Sequence, residues 1–289
     1  MKCLIKMPAA DWQILWKRNE HVRDKRIVFD EPTHTYTVDG SYVGWISTTG
    51  FVHSFFGHFD PDAIIAKMRG SPKWPQSKYF GMTDEAIKKL WSDNGATASE
   101  AGTEMHLAIE MYYNEAAAII PPHVLQTKEW RYFMNFVRAT EGDIEPYRLE
   151  WEVFDTDIKL AGSIDAVFRR RSDGKFLIYD WKRSKEIKFE NRFQKGLGPM
   201  DHLDDCNYWH YSLQLSIYKY ILEKEYGMSI VELAIIILHP DQVPRNYKRI
   251  KLNDMREEVL EMVECRKAAI ASGKHDTIVV IDGEHIKKH

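Results

Sequence analysis

The stretch GSIDAVFRRRSDGKFLIYDWKRSKEI, residues 162–187, holds two apolar runs on either side of a polar turn, with one aspartate inside each run. The alternating pattern and the turn sequence RSDG predict a β-hairpin. If those four turn residues form the loop, the antiparallel register places Asp165 directly opposite Asp180. Cross-strand partners have β-carbons roughly 5 Å apart, where like charges are destabilising. A shared proton, a nearby lysine or a divalent cation is therefore expected to offset the repulsion.

The second strand of this hairpin carries a lysine beside its aspartate. Because side chains alternate along a strand, Asp180 and Lys182 share one face and Trp181 points to the other. Two carboxylates next to an ammonium suit phosphodiester hydrolysis, since a bound cation can polarise a phosphoryl oxygen and a lysine can stabilise developing charge. The alternative is an ordinary charged hairpin with surface ion pairs, because acid-x-Lys is a common strand pattern.

A second set of polar residues lies upstream, in NGATASEAGTEMHLAIEMYYN, residues 94–114. The pattern predicts a helix that begins near Thr97 or Ser99, with Gly102 and His106 on one side by the i, i+4 rule. A glycine inside a helix costs about 1 kcal/mol relative to alanine. We therefore expect that Gly102 is explained by close packing or by the approach of a ligand.

The remaining patterns predict one α/β domain in which a hairpin-rich sheet follows an N-terminal group of helices. The predicted elements are a β-hairpin within 26–44, a helix capped by Ser47, Thr48 or Thr49, helices over 60–140 broken by a loop at 71–83, strands at 147–156, 158–170 and 175–182, a helix ending at Gly227 with Gln214 and Tyr218 on one face, two further strands, and a helix at 253–272.

Charge distribution, cysteine content and the hydrophobic pattern indicate the cellular compartment and the class of binding partner. The formal net charge is −3, but residues 169–195 carry ten Lys/Arg against four Asp/Glu, so a polyanion would be drawn to this segment. The alternative is a solvated hairpin edge protected by its charges. Cys3, Cys206 and Cys265 contain no CxxC pair, which predicts reduced thiols. The lack of a secretory or membrane-spanning pattern predicts an intracellular protein with no membrane partner.

Four motifs in order resemble the RecB-like branch of the PD-(D/E)xK nuclease superfamily. They are Gly102-Thr103-x-x-His106, Gly162-Ser163-Ile164-Asp165, Asp180-Trp181-Lys182 and Gln214-Leu215-x-x-Tyr218. That branch includes bacterial recombination exonucleases, CRISPR-associated adaptation nucleases and mitochondrial genome-maintenance exonucleases. The resemblance implies a restriction-endonuclease-like α/β core, with a mixed central sheet flanked by helices and an N-terminal helical subdomain. It assigns 1–289 to one nuclease domain, 60–140 to the subdomain that carries His106, and 145–250 to the catalytic sheet and the QxxxY helix.

The resemblance also implies roles for residues. Mg²⁺ or Mn²⁺ would be held by His106, Asp165, Asp180 and the main-chain carbonyl of Trp181, with one or two ions bound. Lys182 would be the catalytic lysine, and Gln214 and Tyr218 would orient it or contact substrate. A glutamate on the preceding strand is expected, where Glu150 and Glu152 share a face and Glu150 is preferred. Because the three cysteines do not match the pattern of cluster-bearing relatives, no iron–sulfur cluster is expected.

The substrate implied by the resemblance is DNA. The residues expected to contact its phosphates are Arg169, Arg170, Arg171, Arg183, Lys185, Lys188, Arg192 and Lys195. We expect a metal-dependent deoxyribonuclease, foremost an exonuclease on single strands or duplex ends in replication, recombination or repair. The helices of 60–140 could arch over the site. The alternatives are a structure-specific or nicking endonuclease and a catalytically weak nucleic-acid-binding module on the same fold. The sequence contains no Walker A motif, so any unwinding would come from a helicase or recombination partner.

Overall fold

The computed structural model describes residues 12–273, and the backbone alone of 277–281 and 284–287. The helices are α1 (Ile14–Arg18), α2 (Thr48–His53), α3 (Pro61–Arg69), α4 (Asp84–Tyr113), α5 (Pro122–Leu125), α6 (Lys128–Thr140), α7 (Asn207–Tyr226) and α8 (Arg256–Ala271). The strands are β1 (Ile27–Asp30), β2 (Thr35–Val38), β3 (Ile46–Ser47), β4 (Ile144–Asp155), β5 (Leu160–Arg170), β6 (Phe176–Lys182), β7 (Ile230–Ile237), β8 (Lys248–Lys251), β9 (Thr277–Ile281) and β10 (Glu284–Lys287).

Six strands form one mixed sheet in the order β3-β5-β6-β7-β8, with β4 also paired to β5. The pairs β4/β5, β5/β6 and β7/β8 are antiparallel, whereas β3/β5 and β6/β7 are parallel. The predicted fold class, α/β with a mixed sheet flanked by helices, is confirmed. The division of the chain into a nuclease domain and a helical subdomain stays a prediction.

The hairpin of β5 and β6 has the expected register. Arg170 N–H donates to the Lys175 carbonyl at 2.7 Å, and Gly174 takes the left-handed conformation (φ 71°) that closes the four-residue loop. The ladder continues from the pair Arg169 and Phe176 to the pair Ala166 and Tyr179, where it ends. The next position is that of the two aspartates.

The sheet is covered on both faces, which explains why β6 is almost wholly apolar. On one face Ile178 packs with apolar residues of α2, α7 and α8. On the other face Leu177, Tyr179 and Trp181 pack with α6, where the Trp181 ring lies 5.4 Å from that of Phe136 in an edge-on contact. The alternation predicted for β6 is confirmed, and this layering fixes the face on which each polar side chain emerges.

The helix that carries His106 begins much earlier than predicted. It begins at Asp84 after the cap Thr83, whose hydroxyl accepts from Ala86 N–H at 3.2 Å, and it runs without a break to Tyr113. The prediction of a start near Thr97 or Ser99 was wrong because the small and polar run 94–99 resembles a cap. Residues 92–100 are all exposed, so a polar composition costs the helix nothing there.

Most other predicted elements are confirmed, including the 26–44 hairpin, the helix at 253–272 and the loop at 71–83. Ser47 caps α2 by accepting from Gly50 N–H at 3.0 Å, and Gly227 ends α7 in the left-handed conformation (φ 65°). Cys206 and Cys265 are free thiols, whereas Cys3 lies outside the described residues. No helix in the described part of the chain combines the length and apolarity that a bilayer span requires.

Candidate metal centre

The candidate site lies where β5 and β6 separate. Beyond the last ladder pair, the Trp181 N–H no longer meets a strand carbonyl and donates instead to Asp165 Oδ2 at 2.9 Å. Farther along β5, Leu160 and Ala161 pair with β3. Asp165 is therefore fixed by the backbone of β6, and a gap opens between the two central strands of the sheet.

His106, Glu150 and Asp165 come together beside this gap. His106 Nδ1 lies 3.4 Å from Glu150 Oε1 and 3.5 Å from Asp165 Oδ2, and one ligand atom from each residue lies within 4.8 Å of the other two. His106 Nε2 lies 2.9 Å from the Trp181 carbonyl oxygen, which orients the ring. Residues from α4, β4 and β5 thus converge on one point.

Glu150 is held in a strained backbone conformation. Its φ of 44° lies in the left-handed region, which is uncommon for a glutamate within a strand. The ladder pairs on either side of it, Leu149 with Ala166 and Trp151 with Ile164, are intact. Glu152, the other glutamate of this strand, lies opposite Ser163. Local strain of this kind is found at functional sites, where the surrounding structure maintains it.

Asp180 and Lys182 form a second, more buried group. Lys182 Nζ lies 2.5 Å from Asp180 Oδ2, and Asp180 is only 4% exposed. Apart from this ion pair, the buried oxygen has no hydrogen-bond partner within the described residues. Tyr211 of α7 covers the lysine, with its ring centre 5.1 Å from Nζ. The ammonium is held between a carboxylate and an aromatic face.

The charges of these groups are strongly coupled. Burial alone would lower the pKa of His106, but Asp165 and Glu150 outweigh it and raise the pKa to about 9. Burial and the charge of Asp165 raise the pKa of Asp180 to about 7, against the opposing effect of Lys182. Burial opposes the charge of Lys182 as well, yet Asp180 and Asp165 raise its pKa. Together the carboxylates stabilise positive charge in the gap.

The residues present suit a divalent cation. Two carboxylates and an imidazole form a donor set that Mg²⁺ or Mn²⁺ accepts, and the carboxylate of Asp180, which pairs with Lys182, adds a further acceptor. Of the four predicted ligands, His106 and Asp165 lie in the clustered group, which Glu150 completes. Asp180 instead contacts Lys182, and the Trp181 carbonyl contacts His106. Their assignment as ligands stays a prediction.

Comparison with known proteins agrees with this geometry. A family model described as the PD-(D/E)XK nuclease superfamily matches residues 78–279. The chain belongs to the PD-(D/E)XK nuclease superfamily. The match includes all four motifs, and membership implies a hydrolytic, metal-dependent nuclease whose substrate is a nucleic acid.

Other comparisons add less. No curated protein matches the sequence. A solved structure titled "Crystal structure of SSO0001" is similar at 14% identity with a TM-score of 0.25, covering 57% of this chain and 72% of that one. At that TM-score the likeness carries no argument.

The two helical residues of the last motif lie beside the gap but contact other partners than expected. Gln214 Nε2 donates to Thr49 Oγ1 at 3.0 Å, and the Tyr218 ring lies against Gly162. The structure shows Tyr211, not this pair, over Lys182. The expected roles of Gln214 and Tyr218, to orient the lysine or to contact substrate, stay predictions. Tyr211 was missed, although it lies one turn before Gln214 on the same helix.

In this PD-(D/E)XK nuclease, the eight basic residues that were expected to contact phosphates divide into two groups. Arg169, Arg170 and Arg171 lie at the closed end of the hairpin, and Arg170 is five residues from Asp165, or roughly 17 Å along the strand. They pair with Glu145 and Asp173. The strand direction places them at the end of the hairpin away from Asp165, and their contact with phosphates stays a prediction.

The other five lie in the segment 183–195, which follows Lys182 in the chain. Arg183 pairs with Glu129 at 2.9 Å, and Lys195 lies 3.8 Å from Asp204. Lys185, Lys188 and Arg192 are exposed. This second group, not the turn arginines, belongs to the segment that follows Lys182. Its contact with phosphates stays a prediction.

A second acidic group lies at the far end of α7. Lys224 Nζ lies 2.8 Å from Asp155, 2.7 Å from Asp157 and 3.2 Å from Glu225, and Arg23 also pairs with Glu225 at 2.7 Å. The Asp155 side chain is fully buried. The three carboxylates already surround an ammonium group, so they serve to fix α7 to the end of β4.

Proposed function

We propose that this chain is a Mg²⁺- or Mn²⁺-dependent deoxyribonuclease that acts as an exonuclease on single-stranded DNA or duplex ends. The observation that carries the proposal is the His106, Glu150 and Asp165 group beside the buried Asp180 and Lys182 pair. Family membership supports hydrolysis of a nucleic acid. The order of motifs, which resembles the RecB-like branch, supports DNA and a place in replication, recombination or repair within the cell, with a helicase or recombination protein as the partner.

Ligands for the ion come from four elements, α4, β4, β5 and β6. His106, Glu150, Asp165 and Asp180 would hold it with the Trp181 carbonyl, and the imidazole favours Mn²⁺ more than an all-oxygen site would. A divalent cation bound here supplies polarisation of a phosphoryl oxygen and a more acidic water.

The chain's own residues position the reaction. Lys182 carries a positive charge at the edge of the gap, where it can donate to a water or to a phosphate oxygen as charge develops. Asp180 and Tyr211 keep its ammonium in place. Because Asp180 is buried, this arrangement loses little electrostatic strength to solvent.

The preference for free ends is supported by the helices beside the site. In α4, all of residues 92–100 are exposed, which is nearly a third of this 30-residue helix. Lys67 of α3 contacts Phe193, which lies in the segment after Lys182, with Nζ 5.3 Å from the ring centre. Because α4 carries His106 and α3 contacts the segment after Lys182, an arch of these helices over the site would admit an unpaired strand more readily than an intact duplex.

Two substitutions test the chemistry. We expect Lys182→Ala to lower kcat roughly 10²- to 10³-fold, as loss of a transition-state donor does. Asp165→Asn should abolish detectable cleavage while retaining an acceptor for Trp181 N–H. Both are measured on labelled single-stranded and duplex DNA with Mg²⁺ and with Mn²⁺. Asp93→Asn, on the exposed part of α4, is the matched control and should cleave like the parent.

The substrate panel separates the versions of the proposal. Cleavage of linear DNA but not of a closed circle or an oligonucleotide with both ends blocked supports an exonuclease. Cleavage of the circle contradicts the requirement for an end, and cleavage of RNA alone contradicts the deoxyribonuclease. Inactivity on every DNA and RNA substrate with both metals would overturn the enzymatic proposal.

A further inference from the structure

The segment 183–195, which follows Lys182 in the chain, exposes two aromatic rings. Phe193 is 84% exposed and Phe189 is 47% exposed, and the segment carries five Lys/Arg against two Asp/Glu. Single exposed apolar residues are common on protein surfaces. Two phenylalanines within a basic segment that directly follows Lys182 are a more specific arrangement.

Contacts with the neighbouring elements hold this surface in place. Lys67 of α3 lies over the Phe193 ring, and Leu197 N–H donates to the Phe55 carbonyl at 2.8 Å. The Phe189 ring lies 4.7 Å from the ring of Tyr208, which is buried in the first turn of α7. One side of each ring is thus supported by protein, and the two rings belong to a surface that continues onto α3.

The aromatic rings of the 71–91 region are arranged differently. Trp91 Nε1 donates to the Tyr79 hydroxyl at 2.9 Å, and Trp74 lies 6.2 Å from Phe80 and 4.8 Å from the Arg69 guanidinium. These rings pack the 71–83 loop onto α3 and α4. Among these and the rings of the 183–195 segment, Phe193 is the most exposed.

We propose that Phe189 and Phe193 form a stacking platform for the unpaired bases of single-stranded DNA as it enters or leaves the gap. Lys67, Lys188 and Arg192 contact the phosphates on either side. The inference rests on the proposed function for the identity of the substrate, and it adds which form of DNA is bound and where. Unpaired bases offer open faces to an aromatic ring, whereas the bases of a duplex are already stacked.

The test is DNA binding in EDTA, where no cleavage occurs. The probe is a fluorescein-labelled oligothymidylate of about 20 nucleotides, compared with a blunt duplex of the same length by anisotropy. We expect Phe193→Ala to weaken single-strand binding roughly 5- to 100-fold and duplex binding less than about twofold. Phe193→Trp should retain binding, whereas Phe193→Leu should behave like alanine because it is apolar without an aromatic face.

Charge and fold are controlled separately. Lys188→Gln with Arg192→Gln should weaken both forms of DNA and lower the slope of log K against log salt by about one to two. Val22→Ala, a similarly exposed apolar residue near the other end of the molecule, should change nothing. Thermal unfolding of each variant checks that the fold is retained.

The inference is overturned if Phe193→Ala and the double variant with Phe189→Ala bind the oligothymidylate like the parent. It is also overturned if both forms of DNA weaken equally, or if Phe193→Leu binds like the parent. Loss of single-strand binding in a protein that cleaves nothing would support the platform and contradict the nuclease proposal. Normal binding by Phe193→Ala, with cleavage that depends on Asp165, would do the reverse.

Discussion

Gly162 of β5 lies directly against Tyr218 of α7. A β-carbon at position 162 would come within 2.7 Å of Tyr218 Cε1 and within 2.7 Å of Thr48 Oγ1. Thr48 is itself buried and donates to the Ala161 carbonyl at 3.2 Å. The glycine of one motif and the tyrosine of another are therefore two sides of a single contact, which seats α7 on the sheet beside the gap.

Gly162→Ala is expected to destabilise the protein by about 1–3 kcal/mol, because the added methyl group meets a buried ring and a buried hydroxyl that cannot withdraw. Urea unfolding followed by circular dichroism measures the change. Gly95→Ala is the matched control, since a β-carbon there meets nothing within 4 Å. A free energy of unfolding for Gly162→Ala equal to that of the parent would contradict the contact.

Gly102 has no packing reason within the described structure, because a β-carbon there also meets nothing within 4 Å. Packing therefore does not explain this glycine, and the approach of a ligand stays a prediction. Gly102→Ala should stabilise α4 by about 0.5–1 kcal/mol and yet lower cleavage, whereas Gly95→Ala should stabilise α4 and leave cleavage unchanged. If both variants cleave as fast as the parent, Gly102 has no role in the approach of the substrate.

Tyr211 is expected to act as a positioning residue through Lys182. Replacement by leucine removes the aromatic face and should lower kcat roughly 2- to 30-fold with little change in KM. Phenylalanine keeps the face and should stay close to the parent. The kcat and KM of both variants decide the matter, and an equal loss in Tyr211→Phe would assign the effect to the hydroxyl instead.

Metal binding can be measured without cleavage. Mg²⁺ or Mn²⁺ at about ten times its Kd should stabilise the folded protein by about 1.4 kcal/mol, which raises Tm by roughly 2–4 °C. Asp165→Asn and Glu150→Gln should each reduce the shift, and together they should remove it. Asp93→Asn should keep it. A full shift in the double variant would place the ion elsewhere.

The sequence predicts the centre of this fold well because the information there is local. A period of two and a four-residue turn were enough for the register of the hairpin and for the face of Trp181. Gly227 marks the end of α7 through a conformation that glycine adopts readily.

What the sequence missed depends on contacts between distant segments. The early start of α4 was hidden by a polar run that is simply exposed. Tyr211 reaches Lys182 only because α7 packs across the sheet. Lys67 and Phe193 meet although 125 positions separate them, and no local pattern indicates such a pair.

The ammonium of Lys224 also affects which of the two acidic groups would bind a metal ion. The three carboxylates around it resemble a cation site. The positive charge among them is the Lys224 side chain itself, which is covalently attached and so does not dissociate. Those carboxylates raise the pKa of Lys224, so the lysine stays charged over the whole working range. A divalent ion would have to displace the Lys224 ammonium at that end of α7. At the other group, the protonated imidazole of His106 can lose its proton and would then offer a nitrogen to the ion.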